Sequence, residues 1–98
     1  MVCGATRFND RQRGRLEGVR EALAARGLDL PDWRVSEQDF TLAGGRSGCN
    51  GLLALAEPPT AIVCGIDLLA VGCLIEAQSR GLSVPGDLSV VGIDNLEM

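Results

Sequence analysis

Apolar and polar residues alternate in blocks along the chain, and these blocks predict four strands and three helices. Residues 60–64 form an uncharged run that is typical of a strand covered on both faces. In the first predicted helix, apolar side chains recur every three or four positions from Leu16 to Leu23, as in a helix that buries one side. Strands and helices follow one another in alternation. This order favours a three-layer α/β/α fold with a mostly parallel sheet and helices on both of its faces.

Capping and turn residues set the expected bounds of these elements. Asn9 or Asp10 is expected to cap the first helix, and Gly27 to end it. Asp67 is expected to cap the third helix, with contact to a ligand as its alternative role, and Gly81 follows the last turn. The predicted strands are residues 1–3, 34–39, 60–64 and 88–93, and the predicted helices are residues 10–26, 44–56 and 67–80.

The third predicted helix carries no polar side chain between Leu68 and Ile75 on any of its faces. A helix that packs one stripe against a sheet is normally polar on its opposite side. Two interpretations remain open. The helix lies centrally in a larger domain, or it packs both on its own sheet and on a partner subunit.

The composition excludes several kinds of catalytic site. All nine basic residues are arginine, and the 98 residues include no lysine, histidine or tyrosine. The chain therefore holds neither a serine–histidine–aspartate nor a cysteine–histidine centre, and it lacks a Walker-type phosphate lysine. Carboxylates at strand ends can hold magnesium, but receiver-type magnesium sites usually add a lysine. We predict no enzyme activity, no metal and no cofactor.

The net charge and the cysteines exclude further classes of protein. A net charge of −4 disfavours binding to the phosphate backbone of a nucleic acid, and three aromatic residues leave little surface on which bases can stack. The four cysteines form no C-x-x-C pair, which favours buried, reduced thiols over the alternatives of a disulfide or a metal site. The longest apolar run, residues 68–75, is too short to span a bilayer. We predict a cytoplasmic protein without a membrane segment.

Residues with ligand-binding chemistry follow the predicted strands directly. In an open parallel sheet, ligands bind beyond the carboxyl ends of the strands. The residues expected at that edge are Asn9, Asp39, Phe40, Gly65, Ile66, Asp67, Asp94 and Asn95, with Arg11, Arg13 and Arg15 on the adjoining helix. Carboxylates, guanidinium groups and a flat apolar ring suit a small polar ligand such as a sugar or a nucleobase.

Some of these side chains have alternative roles. Phe40 can equally well pack in the core, and Asp39 can pair with an arginine at the rim. Asp94 follows a buried strand and has no helix after it to cap, which favours a ligand role.

Two segments carry a family resemblance. Residues 59–72, PTAIVCGIDLLAVG, and residues 81–95, GLSVPGDLSVVGIDN, resemble segments of LacI/GalR-family transcriptional regulators. Residues 9–23 resemble the helix that opens with an Asn-Asp pair in that family, and Asp39-Phe40 matches its acidic–aromatic pair. The resemblance covers nearly the whole chain, and it implies one lobe of a periplasmic-binding-protein-like fold.

The resemblance also implies roles for individual residues. Arg15 matches the arginine that grips the effector, Phe40 the ring that stacks on it, and Asp94 the carboxylate that accepts its hydrogen bonds. Ile66 stands where many members have an asparagine that contacts the ligand, and Asn9 is a further expected ligand residue through its place in the loop after the first strand. The helix over residues 67–80 matches one that forms a homodimer. The interface residues expected on it are Val71, Leu74, Ile75 and Gln78.

These expectations define the domain and its partners. Residues 1–98 are expected to be part of the second lobe of an effector-binding domain, without its first lobe and DNA-binding head. The effector is expected to be a sugar or a purine, and DNA to be bound only through the missing head. A lone lobe should bind effector weakly or not at all. The alternatives are a lobe of a transport-linked sugar-binding protein and an inert, self-associating fragment.

Overall fold

The computed structural model describes residues 1–7 and 9–93. Its elements in chain order are β1 (Val2–Cys3), α1 (Asp10–Ala24), a short 3-10 turn (Asp32–Arg34), β2 (Ser36–Glu37), α2 (Leu42–Leu53), β3 (Ala61–Cys64), α3 (Asp67–Ser79) and β4 (Ser89–Gly92). The strands form one sheet in the order β2-β1-β3-β4, and each neighbouring pair is parallel. The predicted α/β architecture with a parallel sheet is confirmed.

Alternating side chains along the strands bury both faces of this sheet. On one face, Met1 and Cys3 pack with Leu16 of α1. On the other face, Val2 and Ile62 join the larger core beneath α2 and α3. The sheet therefore lies between α1 on one side and α2 with α3 on the other, which gives the three predicted layers.

α2 and α3 pack together almost backbone to backbone. A Cβ atom on Gly72 would lie 2.9 Å from the Cα atom of Gly45, so any larger residue would force the two helices apart. The buried residues of α3 are Leu69, Ala70, Gly72, Cys73 and Ala77. The other side of α3 is open, and it leaves Leu68, Val71 and Ile75 exposed by 36%, 45% and 36%.

The helix ends correct two sequence-based expectations. Asp67 is the first residue of α3, and the N-cap position belongs to Ile66, whose side chain makes no capping hydrogen bond. The expectation that Asp67 caps α3 was therefore wrong, although its carboxylate still stands in the positive first turn. α2 begins at Leu42, because Thr41 supplies the cap through a 2.8 Å hydrogen bond from the Gly44 amide, and it ends at Leu53.

The other ends follow the expected chemistry. Asn9 caps α1 and accepts a 3.1 Å hydrogen bond from the Gln12 amide. Gly27 and Gly81 follow α1 and α3 with φ of +74° and +73°, a conformation that favours glycine. The predicted strand over residues 34–39 is shorter in the structure, where only Ser36–Glu37 pair with β1.

Membrane spans were sought among the helices of residues 1–7 and 9–93. None of these helices combines the length and the apolar composition that crossing a bilayer requires.

Candidate functional site

The carboxyl ends of the parallel strands form one edge of the molecule, called here the carboxyl edge. The loops after β1, β2 and β3 meet there. An open groove of about 260 Å³ lies between the first two loops, and its lining residues are Gly4, Ala5, Asn9, Gln38, Asp39 and Phe40. Three of the residues predicted for a ligand site, Asn9, Asp39 and Phe40, are thus brought together.

Phe40 covers the backbone at the end of β1. A Cβ atom on Gly4 would lie 2.5 Å from Cζ of Phe40, so the ring fits only because residue 4 has no side chain. Phe40 is nevertheless 43% exposed. Packing in the core, the alternative considered from the sequence, is therefore wrong. The ring is held against the chain while much of its surface stays open to a ligand.

Arg15 reaches the same edge from α1. Its Nη1 donates a 2.5 Å hydrogen bond to the carbonyl oxygen of Gly65, in the loop after β3. The guanidinium group is therefore hydrogen-bonded at the carboxyl edge rather than extended into solvent. This position places a cation beside the loop that connects β3 to α3.

Gln12 is a site residue that sequence reasoning missed. It is 1% exposed. Its Oε1 accepts a 3.0 Å hydrogen bond from the Gly4 amide, and its Nε2 donates a 3.3 Å hydrogen bond to the Gly65 carbonyl. The sequence signal is its position four residues before Leu16, which places a polar side chain on the buried face of α1.

Glu37 fixes the loop after β1 from the other side. Its Oε1 accepts hydrogen bonds from the amide and the hydroxyl of Thr6, at 2.5 and 3.1 Å. Arg13 pairs with Asp10 in the first turn of α1 and also donates to the Thr6 carbonyl at 3.4 Å. These contacts hold residues 4–7 in place next to the groove.

Two further residues predicted for the carboxyl edge, Ile66 and Asp67, do not line the groove. Ile66 is partly buried and packs against the larger core, which accounts for an apolar residue at the end of β3. A Cβ atom on Gly92 would lie 2.6 Å from Oδ1 of Asp67, so the Asp67 carboxylate stands beside the end of β4. Asp94 and Asn95 lie outside the described residues.

The expected interface residues share the open side of α3. Val71, Ile75 and Gln78 are exposed and Leu74 is partly buried. The sequence pattern thus correctly located an apolar surface on this helix.

The four cysteines are buried and unpaired, so their predicted burial is confirmed. Burial raises the pKa of Cys3 to about 11. A hydrogen bond to Cys73, together with burial, raises the pKa of Cys49 well above its usual range. A hydrogen bond from Cys49 lowers the pKa of Cys73, but a hydrogen bond to Cys64 and burial outweigh it and raise the value to about 12. The Cys3, Cys49 and Cys73 thiols therefore stay protonated at neutral pH, so they are poor nucleophiles and poor metal ligands.

The family of periplasmic binding protein-like domains matches residues 1–98. The chain belongs to this family. Its relatives are LacI-family transcriptional regulators, and the resemblance stated from the sequence motifs is confirmed.

Two relatives illustrate the match in sequence. The repressor CytR of Escherichia coli strain K12 is 39% identical over 84 residues, which are 86% of this chain and 25% of CytR. Catabolite control protein A of Priestia megaterium is likewise 39% identical over 84 residues, with the same coverage of both chains. The chain thus spans about a quarter of the length of these relatives.

Solved structures show the same fold. A LacI-family regulator from Mycobacterium smegmatis has a TM-score of 0.85 at 34% identity, covering 96% of this chain and 36% of that one. The regulator CelR, solved as a complex with cellobiose, has a TM-score of 0.84 at 32% identity, covering 93% of this chain and 28% of that one.

Proposed function

We propose that residues 1–98 form part of the effector-sensing lobe of a LacI-family transcriptional regulator that works in the cytoplasm. The observation that carries this proposal is the carboxyl edge, where the open ring of Phe40 and the guanidinium group of Arg15 adjoin the loops after β1 and β3. A ring and a cation of this kind suit a small polar molecule with a flat or apolar face. Binding is non-covalent, and no catalytic step is part of the proposal.

The rest of the regulator is assigned to other residues of a longer protein, called here the parent regulator. A first lobe would close on the effector from the opposite side, and closure would shift the hinge and the DNA-binding head. DNA contact belongs to that head, since this chain has a net charge of −4.

The regulator interpretation is favoured over a transport-linked binding protein, because the relatives in sequence and structure are transcriptional regulators. A sugar effector is supported by the cellobiose bound to CelR. A nucleobase stays within the proposal because Phe40 offers an aromatic face on which a flat base can stack.

Calorimetric titration of the parent regulator tests the proposal. The probes are cellobiose, ribose, hypoxanthine and cytidine. Arg15→Met and Phe40→Ala are each expected to weaken the binding of the active probe by roughly tenfold or more, because each removes a central contact. Asp94→Ala is expected to abolish induction, a role that rests on the family resemblance alone.

Two variants serve as matched controls. Arg26→Met removes an exposed arginine beyond the far end of α1, and Trp33→Ala removes an aromatic ring that is 61% exposed near the start of β2. Both should leave affinity unchanged. If Arg15→Met and Phe40→Ala behave like these controls, the carboxyl edge is not the effector site.

The open side of α3 supports a second part of the proposal, a homodimer. Leu68, Val71 and Ile75 form a continuous apolar stripe on this helix, and water contact with such a stripe is unfavourable. Val71→Glu is expected to shift the chain towards monomer in size-exclusion chromatography, whereas Ala22→Glu on the exposed side of α1 is not. An unchanged elution volume for Val71→Glu would remove α3 from the interface. Self-association without binding of any probe would favour an inert fragment.

A further inference from the structure

Gln12 is the one polar or charged side chain that is buried within residues 1–7 and 9–93. A buried amide is costly unless its polar atoms are hydrogen-bonded. The Gln12 amide is bonded at both ends, to the Gly4 amide and to the Gly65 carbonyl, so it joins the loop after β1 to the loop after β3. These are the two loops beside Phe40 and Arg15.

The Gly65 carbonyl accepts two hydrogen bonds. One comes from Nε2 of Gln12 at 3.3 Å and the other from Nη1 of Arg15 at 2.5 Å. A carbonyl oxygen has two lone pairs and can accept both. If Arg15 turned away, the carbonyl of this buried residue would keep the bond from Gln12, and the cost of an unsatisfied buried acceptor would be avoided.

We propose that Gln12 is a positioning residue for effector binding: it keeps the Gly65 carbonyl hydrogen-bonded while Arg15 exchanges that carbonyl for the effector. This inference rests on the proposed function, because it takes Arg15 to be the residue that grips the effector. Arg15 is held in place before binding and is released at little cost. Gln12 itself need not touch the effector.

The packing around Gln12 fits this role. A Cβ atom on Gly65 would overlap Oε1 of Gln12, and a Cβ atom on Gly4 would lie 3.1 Å from Cγ of Gln12. The Phe40 ring also lies close to the Cβ position of Gly4. Gln12 therefore fills the space that two glycines leave open, beside the backbone that the Phe40 ring covers and the carbonyl that Arg15 binds.

A double-mutant cycle on stability tests the inference without any effector. The chain is compared with Gln12→Met, Arg15→Met and the double variant by urea unfolding. Arg15→Met alone should change the folding equilibrium constant by less than about threefold, because Gln12 still holds the Gly65 carbonyl. In the Gln12→Met background, the same change should cost roughly tenfold or more, because it leaves the carbonyl without a donor. Equal costs in the two backgrounds would overturn the inference.

Hydrogen exchange provides a second arm in case Gln12→Met does not fold. The Gly4 amide, which donates to Gln12, should keep its protection in Arg15→Met if Gln12 holds the two loops together unaided. A loss of Gly4 protection of more than about tenfold in Arg15→Met would show that Arg15, not Gln12, holds this edge.

Effector affinity separates positioning from stability. In the parent regulator, Gln12→Met should weaken the active probe among cellobiose, ribose, hypoxanthine and cytidine by about tenfold. Leu52→Ala, a buried change at the other end of the sheet, should lower stability and leave affinity per folded molecule unchanged. If effector binding depends on Arg15 but the double-mutant cycle shows no coupling between Gln12 and Arg15, this inference is overturned and the proposed function stands. Coupling without Arg15-dependent binding would overturn the proposed function, and with it the use of Gln12 in binding.

Discussion

The two edges of the sheet differ in the groups they offer a ligand. The amino edge, where β3 and β4 begin, holds the larger cavity, about 380 Å³ against about 260 Å³ at the carboxyl edge. Its floor is mostly apolar, and its charged groups are bonded to neighbours: Asp87 accepts from the Ser83 amide, and Arg80 pairs with Glu76. At the carboxyl edge, the Phe40 ring is 43% exposed, and Arg15 bonds to the Gly65 carbonyl, which we propose it exchanges for the effector. Convergent chemistry, rather than cavity size, identifies the candidate site.

The largest expected effect is the difference in stability loss between a truncation at the amino edge and one at the carboxyl edge. Leu88 is 1% exposed at the base of the amino-edge cavity, and Leu88→Ala should cost about 3 kcal/mol of unfolding free energy. Phe40→Ala should cost about 1 kcal/mol or less, since the ring is 43% exposed. Urea unfolding of both variants measures this difference. A larger stability loss for Phe40→Ala would mean that the ring supports the core rather than a ligand.

Alkaline pH should lower the stability of the folded chain through the buried thiol of Cys3, at the end of β1. The pKa of Cys3 is about 11 in the folded chain against 9.0 for a free cysteine thiol, because burial disfavours the thiolate. Below pH 9 both states are protonated, and between about pH 9 and 11 only the unfolded state ionises. Cys3 should therefore remove about 2 to 3 kcal/mol of stability over that window.

Urea unfolding at several pH values measures this loss, and Cys3→Ala should make it smaller. Cys49 and Cys73 contribute to the remainder, since their pKa values are also raised. An identical alkaline loss in wild type and Cys3→Ala would contradict the burial argument.

Two glycines offer a smaller and sharper contrast. Gly4→Ala would press on Phe40 and Gln12, and we expect a loss of about 1 to 2 kcal/mol together with weaker effector binding. Gly51, in α2, has open space around its Cβ position, so Gly51→Ala should stabilise the helix by about 0.5 to 1 kcal/mol. Thermal unfolding compares the two. A neutral Gly4→Ala would indicate that the ring does not need the bare backbone.

The smallest effect concerns the cap of α1. Asn9→Ala should cost about 1 kcal/mol through the lost hydrogen bond to the Gln12 amide. Asn9→Asp preserves the acceptor and should retain most of that stability. If Asn9→Ala changes affinity but not stability, Asn9 acts on the ligand rather than on the helix.

The sequence was sufficient for the layers, the parallel sheet and the edge that carries the candidate site, because these follow from block alternation and from parallel topology. Phe40 was placed at that edge by the end of the second predicted strand and Arg15 by the start of the first predicted helix, and the family motifs added their roles. The sequence could not decide whether Phe40 was buried, since this depends on the bare backbone of Gly4, which is distant in sequence.

Other features depended on pairing across the chain. Gln12 looked like one more polar residue in an arginine-rich turn, and its role appears only when the loops after β1 and β3 come together. Asp67 looked like a cap because its residue type favours that position, yet α3 begins one residue earlier than a cap at Asp67 would require. Local propensity could not resolve a shift of one residue.

Hydrogen–deuterium exchange of the parent regulator, with and without the active probe at saturation, shows which edge of the sheet holds the effector. We expect added protection in peptides covering residues 3–9, 38–42 and 64–67, where the carboxyl edge closes on the effector. Protection confined to residues 53–60 and 80–88, around the larger cavity at the amino edge, would contradict it.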